Sequence, residues 1–421
     1  MKSERFTAAF FMSVLIMFMC LALYGGFSKK LSNIQTTNQI DWENLYPFDG
    51  EKDHYVPPSK PSILGKIYQY VKIRADKYTT ENLPERFRFV EIARIYEGLT
   101  VWNFASIFDY NAVVGLHDGY LSAYTTSKDV SESAEAAASL DEFCKSLGID
   151  YMYVNIPSKI CVSEDRDISG TLDYVNQNAD RFLQMLKTSG VKYYDLRAEL
   201  HKEGMNHHKA FYRTDHHWKP ETGLWAAKYI LQVLKDDYGW DTKPEMLAPE
   251  NFEYVIYPDW FLGSSGKKLT LLRTTPEDFT LIYPKFTTQF RFEVPVTKID
   301  TIGDFAVIYN MAHVSRKDYY NMNPYGAYKY GDQPLSKIHN MLNTGERKVL
   351  ILHDSMSTCM IPFIALGIEK TDDIDLRQFT GSLRTYIKTT RPDLVITAYN
   401  SSMIGLTTKS ARPNNKMYDF R

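Results

Sequence analysis

The sequence predicts an α/β protein: a mostly parallel sheet flanked by helices, with a β-rich insert, preceded by one transmembrane helix. Three observations predict it. Apolar strand-like runs alternate with amphipathic helical runs from about 128 to 236 and again from 348 to 399, the order that strand–helix–strand crossovers impose. Between them, over about 237–345, short strand-like runs replace the helices. At the start, Phe6 to Phe27 contains no charged residue, and about 20 apolar helical residues span a bilayer core.

Lys2 and Arg5 precede the apolar stretch, and Lys29 and Lys30 follow it. A cleaved signal peptide is the competing reading. Its apolar region normally runs roughly 7–15 residues with small residues before the cut, whereas Ala22-Leu23-Tyr24 puts a ring there. The expected organisation is a cytoplasmic tip at 1–5, an anchor at 6–27, a polar stem and linker at 28–90, and an α/β domain at 91–421 that contains the insert. The stem holds Pro47, Pro57, Pro58 and Pro61, and Ile63, Ile67, Tyr70 and Val71 would share one face of a helix over 63–80.

Short β-like runs with turns occupy 86–125, such as Gly115 to Leu121. Ser131 to Leu147 reads as a helix with Ala136, Leu140, Phe143 and Leu147 on one face, closed by Gly148. Tyr151 to Ile156 is a strand stopped by Pro157, Ala179 to Ser189 a helix closed by Gly190, and Val191 to Asp195 a strand. Glu221 to Asp236 is a helix opened by Pro220. The insert offers strands at Phe252–Ile256, Thr280–Tyr283, Phe290–Val294 and Phe305–Tyr309, then a Tyr-, Asn- and Gly-rich stretch at 316–332. Beyond it come a strand at Lys348–Leu352, a helix at Pro362–Glu369, a strand at Ile374–Leu376, a helix at Ser382–Thr389 and a strand at Leu394–Tyr399. The tail after Leu406 reads as loosely ordered.

Composition excludes several classes. Of 421 residues, 44% are hydrophobic and 24% charged, which excludes wholesale disorder. Lys and Arg (49) balance Asp and Glu (51), so nucleic acid is not the expected partner. Four cysteines exclude a disulfide-dense scaffold. Cys20 falls in the apolar stretch; Cys144, Cys161 and Cys359 lack CxxC spacing and read as buried thiols.

Two segments could carry chemistry: Thr214-Asp215-His216-His217-Trp218 and His353-Asp354-Ser355-Met356-Ser357. Ser355 follows an apolar strand and precedes a helical turn, where reactive groups of parallel sheets collect. Standing alone it would be a helix cap, as would Asp354. Asp215 and His217 supply what a nucleophile needs: a carboxylate to fix the imidazole tautomer, and a ring nitrogen to take the serine proton. Only one of the adjacent His216 and His217 is expected to be the base. His201, His207, His208, His216 and His217 cluster in sequence, but no cysteine or carboxylate completes a standard zinc spacing, so no metal and no cofactor is expected. Asn400 and Gly381, each after a predicted strand, are weaker candidates for oxyanion donors; plain turn residues are the alternative. Gly263-Ser264-Ser265-Gly266-Lys267 lacks the spacing of a nucleotide-binding loop. Tyrosine platforms suit sugar faces, though most of the 30 tyrosines should be packing residues.

Asp215-His216-His217-Trp218, with the later Asp354-Ser355, resembles the DHHW family, itself similar to alginate O-acetyltransferase proteins with an SGNH-hydrolase-like domain. Asn155 to Lys159, Phe261 to Gly263, Ile374 to Arg377 and Ala398 to Asn400 support the match, which runs from about Gly115 to Ser402. In ordinary SGNH hydrolases the Asp-Ser strand comes first and the Asp/His block last; here the order is reversed, so the resemblance implies a circular permutation. It also implies Ser355 as nucleophile, His217 as base, Asp215 as its partner, and the Ser355 N–H with Asn400 and Gly381 at the oxyanion. His353 replaces the glycine that usually precedes Asp-Ser.

The implied protein is a single-pass membrane protein with an extracytoplasmic catalytic domain. It would transfer acetyl groups to hydroxyls of a cell-wall or secreted polysaccharide, using an acyl group supplied by a membrane-bound O-acyltransferase partner. The same residues would equally serve a carbohydrate acetyl esterase, and a degenerate site would leave a non-catalytic glycan-binding assembly protein. The insert is expected to shape the acceptor site or merely to cover the sheet.

Overall fold

The computed structural model describes residues 113–123, 125–161, 174–406 and 413–421. The predicted span at 6–27, the stem and the helix over 63–80 lie outside the described residues. Among the described residues no helix is long and apolar enough to cross a membrane.

Two short strands, β1 (Val114–Gly115) and β2 (Leu121–Ser122), pair antiparallel. Helix α1 (Ser131–Ser146) leads to strand β3 (Asp150–Ile156), and α2 (Val175–Thr188) to β4 (Tyr193–Asp195). Each helix closes on a glycine with positive φ, Gly148 and Gly190, a geometry that side chains resist. The buried face of α1 is Ala137, Leu140 and Cys144 rather than the predicted Ala136, Phe143 and Leu147, which flank it half-buried. Helices α3 (Leu196–Lys202) and α4 (Pro220–Tyr238) bracket the Asp215 block.

The insert does not form a layer of its own. Strands β5 (Phe252–Phe261) and β6 (Glu277–Pro284) make a two-stranded ribbon, with the short helix α5 (Ser264–Leu269) between them. Strands β7 (Phe290–Val294), β8 (Ile299–Gly303) and β9 (Ser336–Asn340) instead extend the main sheet. The predicted strand at Phe305–Tyr309 is a 3-10 turn over Phe305–Ile308, because Asp304 caps it through the Ala306 N–H. Strands β8 and β9 escaped the sequence reading, since their alternation is too polar to stand out.

Strand β10 (Lys348–His353), helix α6 (Ile361–Ile364), strand β11 (Lys370–Ile374), helix α7 (Leu383–Thr390) and strand β12 (Leu394–Asn400) complete the domain. Helix α6 is far shorter than predicted, and β11 lies four residues earlier. The main sheet runs β4-β3-β12-β10-β11-β9-β7-β8. The first five strands are parallel and the last three antiparallel, so the sheet is mixed.

Strand β10 shows why a parallel centre forms here. Val349 and Ile351 pack into one core cluster with α4 and α6, while Leu350 and Leu352 pack into the other with α1, α2 and α7. A strand covered on both faces needs an unbroken apolar run. Residues 407–412 of the predicted loose tail lie outside the described residues, but its last part is corrected: Met417, Tyr418 and Phe420 are buried in the second cluster, and the hydroxyls of Tyr153 and Tyr418 meet at 2.9 Å.

Candidate active site

Three parallel strands end at one place. Strand β10 runs into Asp354-Ser355, β12 ends at Asn400, and β3 runs into Pro157-Ser158-Lys159. The cap of the 3-10 turn Ser355–Cys359 is Asp354, whose Oδ1 accepts from Met356 N at 2.9 Å and whose Oδ2 accepts from Asn400 N at 2.7 Å. Burial pushes the Asp354 carboxyl above the usual range, although these N–H groups pull the other way. Because Asp354 does the capping, the Ser355 hydroxyl is left to face the cleft.

The loop between α3 and α4 meets it there. An isolated bridge between Phe211 and Trp218 closes this loop, and Tyr212 N donates to His217 O at 3.0 Å. Glu277 of β6 accepts the N–H groups of Arg213 (2.7 Å) and Thr214 (2.6 Å). Trp218, wholly buried, donates from Nε1 to Met356 O at 2.7 Å, which ties the histidine loop to the serine turn.

His217 Nδ1–H donates to Asp215 Oδ1, which leaves Nε2 free of its proton. Nε2 then accepts from Ser355 Oγ at 2.8 Å. Burial pushes the Asp215 carboxyl up, but His216, His217 and the Ser264 N–H outweigh it, and the group sits well below the usual carboxylate range. It is therefore ionised at neutral pH. His216, its side chain 57% exposed, turns to Ser264 Oγ at 3.1 Å instead. Serine, imidazole and carboxylate are thus linked by hydrogen bonds in series, a geometry suited in general to moving a hydroxyl proton onto a ring nitrogen and back.

Neighbours hold this geometry. The Tyr325 ring stacks on His217 with centroids 4.1 Å apart, and its hydroxyl donates to Met356 O at 3.0 Å. Buried Lys159 donates to the carbonyls of Asp215 and Leu121 (2.6 Å); burial pushes its ammonium down to about 8, against the pull of Asp215 and Glu277. The segment Gly263-Ser264 is no phosphate loop. The N–H of Gly263 donates to Thr214 Oγ1 at 3.0 Å, and that of Ser264 to Asp215 Oδ2. A Cβ on Gly263 would lie 2.6 Å from the Asp215 Cα, so only glycine allows this approach.

A cleft of 390 Å³ opens above Ser355 and His217, with Asn400, Arg377, Asn323 and Asp332 among its walls. Asn400 lines the cleft, where its Nδ2 donates to Pro157 O at 2.8 Å and its Oδ1 accepts from Ser402 N at 3.0 Å. Gly381 lies exposed and outside the cleft walls. The reason is the position of β11: it ends at Ile374, so the turn that reaches the cleft is Asp375–Arg377. Arg377 donates to Asp375 (2.9 and 2.8 Å) and to Asp332 (2.7 Å), which fixes its guanidinium at the rim.

His353 also finds its explanation. Nε2 lies 2.9 Å from Asp373 Oδ1 and Nδ1 2.9 Å from Asp354 O. Lys329 donates to the same Asp373 oxygen at 2.7 Å, and all three side chains are fully buried. Burial pushes Asp373 up, but Lys329 and His353 outweigh it and hold the carboxyl below its ordinary range. Where the resemblance expects a glycine, a buried ionic cluster braces the serine turn. Arg377, Tyr325 and Lys329 carried no sequence signal beyond lying in a family segment or in the Tyr-rich stretch.

Comparisons with known proteins agree with the fold. Residues 117–254 match the family model described as the SGNH hydrolase-like domain of the acetyltransferase AlgX. The predicted resemblance holds. The matched segment includes Asp215 and His217 and stops before Ser355. Bacillus cereus PatB1 superposes with a TM-score of 0.60 at 20% identity, over 73% of this chain and 99% of that one. PatB1 with a sulfonyl adduct gives 0.59 at 20% identity, over 73% and 98%. A DHHW family protein from Eubacterium siraeum gives 0.53 at 18% identity, over 73% and 94%. At these identities the likeness is one of fold. No curated protein gives a significant match.

Proposed function

We propose that the chain is a serine-nucleophile O-acetyltransferase that esterifies hydroxyls of a cell-wall or secreted polysaccharide outside the cytoplasm. The observation that carries the reading is the 2.8 Å approach of His217 Nε2 to Ser355 Oγ, with Asp215 on the other ring nitrogen. The acetyltransferase family model supports the direction of transfer. In the first half-reaction Ser355 Oγ attacks the acyl carbonyl while His217 takes its proton. The tetrahedral oxyanion is met by the Ser355 N–H and the side-chain amide of Asn400. Collapse breaks the bond to the donor, whose leaving group takes the proton from His217, and the acetyl group stays on Ser355. A sugar hydroxyl then gives its proton to His217 as it attacks the acetyl-serine; collapse breaks the bond from Ser355 Oγ to the acyl carbon, His217 returns the proton to Oγ, and the acetylated sugar leaves the free enzyme.

Under this reading the apolar stretch Phe6–Phe27 anchors the enzyme, a membrane-bound O-acyltransferase supplies the acyl group, and the sheet is a circular permutation of the SGNH hydrolase arrangement. The Asn323, Tyr325 and Asp332 walls, all from the insert, hold the acceptor. Replacing Ser355→Ala tests the reading. Acetylation of the cell-envelope glycan should disappear, and unchanged acetylation in that strain rejects it. If excess unacetylated acceptor fails to draw acetyl away from water, the enzyme is an esterase instead.

A further inference from the structure

A second cluster of reactive side chains lies outside the cleft. Cys161 follows the Pro157-Ser158-Lys159 segment, His201 sits at the end of α3, and His207 lies just beyond it. Cys161, 40 residues before His201, meets the two histidines: its Sγ is 3.8 Å from His201 Nε2, and His201 Nε2 is 3.3 Å from His207 Nδ1. The three ligand atoms all lie within 4.8 Å of one another. Tetrahedral zinc, with bonds of about 2.3 Å to sulfur and about 2.0–2.1 Å to nitrogen, separates sulfur from nitrogen by about 3.6 Å and two nitrogens by about 3.3 Å.

The tautomer of His207 is set independently. Its Nε2–H donates to Ser158 O at 2.8 Å, which turns the Nδ1 lone pair inward. A ligating histidine typically has such a carbonyl on its far nitrogen. Cys161 and His207 are buried, and His201 opens the cluster to solvent.

We infer that Cys161, His201 and His207 form a binding site for a divalent transition metal of the zinc type. Two imidazoles and a thiolate select a borderline-soft cation over calcium or magnesium. On binding, the thiol S–H bond breaks, a sulfur–metal bond forms and the proton passes to solvent, with no change of oxidation state. The metal pins the segment whose Pro157 carbonyl accepts from Asn400 and whose Lys159 donates to the Asp215 carbonyl. Its role is to brace the floor of the cleft. The inference does not depend on the acetyl-transfer reading.

Cobalt(II) titration of the purified, chelator-treated full chain tests it. One equivalent should produce a thiolate-to-cobalt charge-transfer band and the intense visible bands of tetrahedral cobalt, and added zinc should abolish both. Cys161→Ser should lose the charge-transfer band, and His207→Gln should lose one-equivalent binding. His217→Ala should keep both, which separates this cluster from Asp215, His216 and His217, whose ligand atoms also lie close together. Absence of the bands from the wild-type chain overturns the inference whatever the variants do. So does a charge-transfer band that survives Cys161→Ser or vanishes with His217→Ala.

Discussion

At the residue scale, Asp215 shows how a charged group can be buried and still ionised. Its carboxylate accepts from His217 and from the Ser264 N–H, and the result is an acidity well beyond that of a free aspartate. Asp215→Asn should remove the acceptor that fixes the His217 tautomer and lower kcat by roughly 10³–10⁴-fold, with KM changed little, in a steady-state acyl-transfer assay. The sign of the pH effect follows from the depressed pKa. The folded carboxyl holds its proton less tightly than the unfolded one, so its contribution to stability is full above about pH 4 and is lost as pH falls toward the folded value. Urea midpoints should therefore drop on acidification below about pH 4, and less steeply in Asp215→Asn. That Ser355, His217 and Asp215 would meet was legible in sequence, because the residue types of the two segments are a rare combination. The sequence also favours His217 over His216, and the loop turns His216 to Ser264 Oγ while His217 lies between Asp215 and Ser355.

Elements act here by how closely they approach one another. The N-terminus of α5 reaches Asp215 only because residue 263 has no side chain, and its φ of −72° is one that any residue adopts. Gly263→Ala should thus keep the circular dichroism of the native chain yet push Asp215 off His217. A displacement of about 1 Å can cost about 10²-fold, to be read as kcat/KM. The Lys329–Asp373–His353 cluster holds the end of β11 to the start of the serine turn. Lys329→Met should cost about 3–5 kcal/mol in urea unfolding, because it leaves Asp373 short of its main counter-charge. Pairing it with Asp373→Leu should recover part of that loss. Strand and helix positions were largely visible as periodicity. The end of β11 was not, because Thr371, Asp372 and Asp373 are buried polar residues that break the apolar run. That miss carried Gly381 into the predicted site in place of Arg377.

Across the whole molecule, distant segments close on each other. Strand β3 and the Asp215 loop precede the insert, while β10 and β12 follow it, yet β3, β12 and β10 are neighbours in one sheet. The last residues return to the core as well, with the Tyr418 ring against Phe182, Tyr399 and Phe420. Tyr418→Ala should cost about 3–5 kcal/mol, measured as a lowered urea midpoint, because it opens a cavity and strips the Tyr153 hydroxyl of its partner. A loosely ordered tail would leave the midpoint unmoved.

Local order left its mark on the chain directly. Apolar periodicity marked the central strands, the single glycines Gly148 and Gly190 marked helix ends, and the Asp-His-His-Trp and Asp-Ser segments marked the candidate chemistry, because each depends on neighbours a few residues away. Convergence did not. The stacking of Tyr325 on His217, the ionic brace behind Ser355 and the meeting of Cys161 with His201 and His207 join residues far apart in sequence. Such contacts exist only after the sheet has formed and its strand ends have gathered at one edge.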